Sequence, residues 1–323
     1  MTDFPLQAYL PGASRLVCGC MGLGGDWNDQ PPTRRDLKLA HSLIDAALDC
    51  GINSFDHADI YAMGKAEQVF GQVLEDRPEL RERIILQSKC GIRFGDEAGP
   101  KRYDLSPEWI ARSVDHILRR LSTDYLDLLL LHRPDPLMEP ERIAEVLSRL
   151  KAEGKVSFFG VSNMQSHQID YLQSCLDQPL VVDQIAISLG QLDWLEEGVL
   201  VGHPAGKETN FTPGTLEYCR QHRVQVQSWR SLAQGQFSGR DLSQAAPNVQ
   251  QTAELVRALA QQYQTSAEAI VLAWLLRHPA KVQPVIGTTQ EGRLRACARA
   301  TDVRLSREDW YRLYVAARSK HLP

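Results

Sequence analysis

The chain has 323 residues, 43% of them hydrophobic, enough for one large domain or two small ones with ample core. A net charge of −4 with no run of Lys or Arg argues against a nucleic-acid surface, and no apolar run approaches the ~20 residues of a membrane helix. Seven cysteines are scattered without Cys-x-x-Cys spacing, and the first residues carry no signal-peptide pattern, which together predict a reduced, cytoplasmic protein.

In chain order, apolar segments and helical patterns alternate eight times. Residues 16–20 form a short apolar run that ends in a Gly-rich stretch. Residues 33–50 read as a helix. Leu39, Leu43, Ala46, Ala47 and Cys50 share one face, Thr33 and Asp36 are spaced as a capping box, and Gly51 stops it. Strand two spans 53–56, helix two 65–74 and strand three 84–89. Helix three takes Ser106 as its cap and Pro107 as its first residue, and it buries Ile110, Val114, Ile117, Leu118 and Leu121. Strand four spans 126–132, helix four 141–153 and strand five 156–162. A helix near 166–176 leads to strand six at 181–184. Strand seven spans 224–229. Two helices follow, near 249–263 and 267–278, the second capped by Ser266, and strand eight spans 282–287. Residues 191–212 lack periodicity and carry Gly, Pro and Asn, which predicts a loop over the substrate mouth that orders on binding.

Strands as continuously apolar as Leu-Asp-Leu-Leu-Leu-Leu are buried on both faces, hence a parallel sheet covered by helices. Eight strand–helix units in this length predict a (β/α)₈ barrel, a TIM barrel, forming one domain over 1–323 with extra loops at its carboxyl face.

In such a barrel the strand ends share one face. Four ionisable residues fall there or just beyond: Asp56, Tyr61, Lys89 and His132. A Lys about 4 Å from a Tyr, at an effective dielectric of about 20, favours the phenolate by roughly 4 kcal/mol. That predicts a phenol pulled down by as much as about three pKa units toward neutrality, before burial opposes it. A carboxylate beside the Lys keeps it charged, and a His hydrogen-bonds an incoming carbonyl. The set is a proton donor aimed at one oxygen, with no nucleophile activated for acyl transfer.

The other strand ends carry Gly19, Cys20 and Met21, then Ser162 and Asn163, Gln184, Trp229, and Gly287 with Thr288. Gly22-Leu-Gly24-Gly-Asp-Trp27 fails the dinucleotide fingerprint because Trp27 replaces the third glycine. Phosphate is instead expected at Gly287, Thr288 and Arg293, where backbone N–H groups and a guanidinium open a helix. A metal at His57 is not expected, since none of the nine histidines has another within five positions.

These motifs resemble the aldo-keto reductases. FDHADIY matches the family's Asp-to-Tyr segment, ILQSK its Lys strand, LLLLHRP its His strand, GVSN and VDQ its carboxamide-holding segments, and PVIGTTQEGR its phosphate segment. The match runs over roughly 16–297, and the HRPDP variant with the insert after strand six resembles the bacterial YdhF-type branch. The resemblance implies an oxidoreductase that reduces a small-molecule carbonyl with NADPH. It implies Tyr61 as general acid, tuned by Lys89 and Asp56, with His132 orienting the carbonyl. Ser162, Asn163 and Gln184 are implied to hold the nicotinamide carboxamide and Trp229 to stack on its ring. Gly19, Cys20 and Met21 are taken as further cofactor contacts. Arg230 and Leu232 are implied near the pyrophosphate, and Thr288 and Arg293 at the adenosine 2′-phosphate, with Gly287 where several members carry Lys. Trp27, the segment after Gly91, and the insert around Trp194 and Phe211 are expected to shape the substrate pocket. The alternative is a nucleotide-binding regulatory or redox-sensing subunit on the same fold. Oligomeric state is not legible.

Overall fold

The computed structural model describes residues 4–323. Eight parallel strands close on themselves: β1 (Val17–Gly19), β2 (Ser54–Asp56), β3 (Ile85–Cys90), β4 (Leu126–Leu131), β5 (Val156–Ser162), β6 (Leu180–Ala186), β7 (Gln225–Trp229) and β8 (Gln283–Ile286). Each pairs with its neighbours in sequence, and Val17 beside Val285 joins first strand to last. This is the expected (β/α)₈ barrel, with strand bounds within about three residues of those read from periodicity.

Helices cover the outside: α1 (Arg34–Asp49), α2 (Lys65–Asp76), α3 (Pro107–Leu121), α4 (Pro140–Ala152), α5 (Ser166–Gln173), α6 (Asp193–Val199), α7 (Thr215–Gln221), α8 (Pro247–Gln262), α9 (Ala267–Leu276), α10 (Glu291–Ala298) and α11 (Arg307–Arg318). Local chemistry sets their starts. The capping box of α1 forms, with Thr33 N–H donating to Asp36 at 2.7 Å. Ser106 Oγ accepts from the Trp109 N–H ahead of α3, whose apolar face then buries Ile110, Val114, Ile117 and Leu121. Outward strand residues such as Phe55, Leu86, Leu129 and Val161 pack on these helices. At the opposite end from the site, Phe4, Leu6, Leu10 and Ala13 pack against Leu128, Leu130, Val181 and Val182 and close the barrel's amino end.

Two features depart from expectation. A two-stranded ribbon, Ile92–Arg93 with Arg102–Tyr103, follows β3. The stretch 191–212 is not an irregular loop over the mouth: α6 and a 3₁₀ turn at Pro204–Glu208 occupy half of it. Trp194 is 1% exposed, edge-on to Trp274 at 5.7 Å and to His278 at 4.9 Å. Glu196 pairs with Arg318 at 2.8 Å and accepts from the Tyr314 hydroxyl. One aromatic anchor and one ion pair hold the insertion to the barrel's flank, at α9 and α11. With one apolar anchor in a seven-residue helix, there was too little pattern for a period to show.

Candidate active site

The carboxyl ends of the strands surround one cavity of about 570 Å³. Asp56 ends β2 and Lys89 lies one residue from the end of β3; both side chains are buried and point inward. Lys89 Nζ donates at 2.7 Å to the Asp56 carboxylate, 2.8 Å to the His57 carbonyl and 3.0 Å to the Tyr61 hydroxyl, so all three ammonium protons are placed. Tyr61 reaches this spot through a turn in which Ala62 and Met63 take positive φ values of 47° and 60° before Gly64 opens α2. Left-handed backbone at two non-glycine residues is the kind of strain that persists at working sites.

His132 follows β4. Its ring stands edge-on to Tyr61, with centroids 6.2 Å apart. Burial, then the charges of Lys89 and Arg133, push its pKa well below the ordinary value, so it is neutral at neutral pH. Among the described residues its buried Nδ1 has no hydrogen-bond partner. Burial also raises the Tyr61 pKa above its ordinary value, outweighing the opposite pull of Lys89. The expected descent of the phenol toward neutrality is therefore corrected: desolvation wins, and Tyr61 holds its proton. Burial works to lower the Lys89 pKa, but Asp56 and Tyr61 outweigh it and the net shift is upward.

Beneath these groups lies a feature that motif reading missed. Gln184 Nε2 donates to Asp56 Oδ1 at 3.1 Å and to Gln227 Oε1 at 3.0 Å. Gln87 Nε2 donates to the same two acceptors, reaching Gln227 at 3.0 Å. Gln227 donates to Gln283 at 3.0 Å, and Gln283 to the Ser14 carbonyl at 2.7 Å. A layer usually filled by branched apolar side chains is here an amide ladder through the barrel axis. The available signal was a Gln two residues before Lys89 and another two before Trp229, both at inward positions of apolar strands.

The remaining wall is prearranged. Asn163, at φ 59°, donates to Ser162 Oγ at 2.7 Å and to the His132 carbonyl at 3.2 Å, and it accepts from the Trp229 indole at 3.0 Å. Ser162 Oγ donates to the Gln184 carbonyl at 2.8 Å. After β7, Arg230, Ala233 and Gln234 take positive φ, and Ser231 Oγ ties this turn to the Val285 carbonyl at 2.9 Å. Beside it stand Gly287, Thr288 and Arg293; the Arg293 guanidinium lies against Gly235, donates to the Ser238 carbonyl at 3.2 Å and pairs with Glu268 at 3.5 Å.

Gly19, Met21, Ser162, Asn163, Gln184 and Trp229 line the cavity, as do Arg230, Leu232, Gly287, Thr288 and Arg293. Cys20 does not: just beyond β1, its side chain is fully buried in the outer core with Leu16 and Cys18. Trp27 and Ile92 line the cavity, whereas Trp194 packs in the core against Trp274 of α9 and Phe211 lies partly buried against the same cluster. Lys65 holds the loop that carries Trp27 through bonds to the Asp26 carbonyl at 2.7 Å and the Asn28 side chain at 2.9 Å. No group of three potential metal ligands occurs among the described residues. No helix among them is long and apolar enough to cross a membrane.

The model of the Aldo/keto reductase family matches residues 15–316. The chain is 36% identical to the 6-dehydroglucose reductase of Agrobacterium fabrum over 96% of each chain. It is 35% identical to the oxidoreductase YdhF of Escherichia coli, over 97% of this chain and 96% of that one. The holo form of the aldo-keto reductase AKR11C1 from Bacillus halodurans superposes with a TM-score of 0.72 at 25% identity, over 94% of this chain and 92% of that one.

Proposed function

This chain belongs to the aldo/keto reductase family, and we propose that it reduces an aldehyde or ketone to the alcohol with NADPH. The observation that carries the reading is the Tyr61 hydroxyl 3.0 Å from Lys89 Nζ, facing a cavity that it shares with a neutral His132. The cavity fits a dinucleotide. Its long wall presents a fixed indole, a left-handed turn ending in Gly235, and two guanidiniums, those of Arg230 and Arg293. Gly287 leaves open space where a Cβ would stand. A relative named 6-dehydroglucose reductase agrees with a carbonyl substrate.

Ser162, Asn163 and Gln184 would hold the carboxamide of NADPH and Trp229 would support its nicotinamide face. Arg230 and Leu232 would lie along the pyrophosphate, and Thr288 with Arg293 at the 2′-phosphate. When bound, NADPH would supply the hydride for the carbonyl carbon. Tyr61 gives its proton to the carbonyl oxygen as negative charge develops there, and His132 hydrogen-bonds the same oxygen and sets its direction. Lys89 stabilises the resulting tyrosinate, and Asp56 holds Lys89 in place and charged. Proton donation needs a protonated phenol, which the upward shift of Tyr61 secures at neutral pH. A panel of aldehydes and ketones incubated with NADPH tests the reading. Loss of nicotinamide absorbance in step with alcohol formation is expected, and tight NADPH binding without turnover of any carbonyl would favour a regulatory subunit instead.

A further inference from the structure

We propose that Arg133 forms an oxyanion subsite in the substrate half of the cavity, and that the substrate is a carbonyl compound bearing a carboxylate or a phosphate. The proposal rests on the reductase reading for where the reacting carbonyl sits, between Tyr61 and His132.

Arg133 directly follows His132, is half-buried and lines the same cavity. Among the described residues its guanidinium makes no hydrogen bond and no ion pair; its one contact of note is with the Trp229 ring, whose centroid lies 5.8 Å from the guanidinium carbon. Contact with an aromatic ring leaves N–H groups free to donate. The acid nearest in the chain is already engaged: Asp135 accepts from the Leu105 N–H and the Leu137 N–H, each at 2.9 Å.

The charge of the cavity sharpens the point. Its lining contains three arginines, Arg133, Arg230 and Arg293, and one carboxylate, Asp56, which Lys89 neutralises at 2.7 Å. Arg293, after β8, already has Glu268, and Arg230, after β7, holds its guanidinium carbon 5.1 Å from the centroid of the same Trp229 ring. Arg133 alone of the three follows directly on His132, at the end of the cavity where the reacting carbonyl would sit. A partly buried cation without a counterion bears a desolvation cost that a ligand anion would offset. The flat fork of the guanidinium suits the paired oxygens of a carboxylate or phosphate. Trp27, Ile60 and Ile92 supply apolar wall for the carbon chain of such a substrate.

The test compares matched probes in the NADPH-loaded protein: butanal against 4-oxobutanoate for a carboxylate, and glyceraldehyde against its 3-phosphate for a phosphate. In the wild type, kcat/KM is expected to favour at least one anionic member by about ten-fold or more, as hydrogen bonds to charged groups allow. The better pair identifies the anion. In Arg133→Gln that ratio collapses toward one, Arg133→Lys restores part of it, and NADPH affinity read by tryptophan quenching holds in both. A wild type that reduces neutral aldehydes as well as their anionic partners overturns the subsite while the reductase reading stands. So does an Arg133→Gln protein whose loss is in NADPH affinity. Reduction of none of the four probes overturns both.

Discussion

Gln184 Nε2 lies 3.1 Å from Asp56 Oδ1, so a residue lining the cavity is bonded to the carboxylate that holds Lys89. The same nitrogen spends its second proton on Gln227 at 3.0 Å, which leaves the Gln184 carbonyl oxygen as the group able to meet a carboxamide. Two amides, from Gln87 and Gln184, thus converge on one oxygen of Asp56 while Lys89 bonds the carboxylate from above.

Gln227 accepts from both of those amides. Gln227→Met keeps volume and removes the acceptor, so both amides lose their fixed orientation while the motif residues stay intact. The expected result is a fall of about two- to ten-fold in kcat, in line with the roughly 0.5–1.5 kcal/mol of a single net hydrogen bond, with KM for NADPH little changed. Wild-type kinetics in this variant would show the ladder to be packing alone.

Lys89→Met tests how the donor is tuned. Burial raises the Tyr61 pKa and Lys89 lowers it, so removing Lys89 moves the phenol further up. The donor form is present below that pKa. Carbonyl reduction in the wild type is therefore expected to be flat across the neutral range and to fall only as pH rises through the raised Tyr61 value. In Lys89→Met the plateau drops and the alkaline fall moves to higher pH. The reverse oxidation needs the deprotonated phenol, so its rise with pH shifts in the same direction. A lower rate with an unmoved profile would assign Lys89 to structure.

How much of this was readable before any coordinates depended on how each feature is built. Asp56, Lys89 and His132 fall at or just beyond the carboxyl ends of strongly apolar strands, where a parallel barrel can only bring them together; Asp56 and His132 line the cavity, and Lys89 is buried behind it against Asp56 and Tyr61. The direction of the Tyr61 shift was not readable, because the distance to Lys89 follows from the motif but the depth of burial does not. Cys20 lies just beyond β1 with its side chain buried in the outer core, which the run Gly19-Cys20-Met21 by itself does not distinguish from its cavity-lining neighbours. The amide ladder stayed hidden because single glutamines in strands carry no spacing of their own; only the closed sheet shows that four strands aim them at one point. The short helix α7 fell between recognised elements for the reason that hid α6, too few turns to show a period.

Cofactor choice should rest on Arg293. A guanidinium–phosphate bond is worth roughly 1.5–3 kcal/mol, so Arg293→Ala is expected to weaken NADPH by about ten-fold or more and leave NADH nearly unaffected. Titration of protein fluorescence with each cofactor reads both. Equal affinities in the wild type would instead make Gly287 the mark of a lost 2′-phosphate contact.

The insertion that carries α6 is expected to behave as framework. Limited proteolysis should spare 191–212 with and without NADPH. Trp194→Ala, which empties a site 1% exposed between Trp274 and His278, should cost about 3–5 kcal/mol in urea unfolding. Cleavage there that NADPH suppresses would restore the mobile-lid reading.

The most direct test of the account is single-turnover reduction by Tyr61→Phe loaded with NADPH. The substitution removes one oxygen and leaves the ring, so cofactor affinity should match the wild type while the rate of the chemical step falls by about 10²–10⁴-fold, the share that general acid catalysis commonly supplies. A Tyr61→Phe protein that binds NADPH and reduces its carbonyl substrate at a near-normal rate would contradict the assignment of Tyr61 as the proton donor.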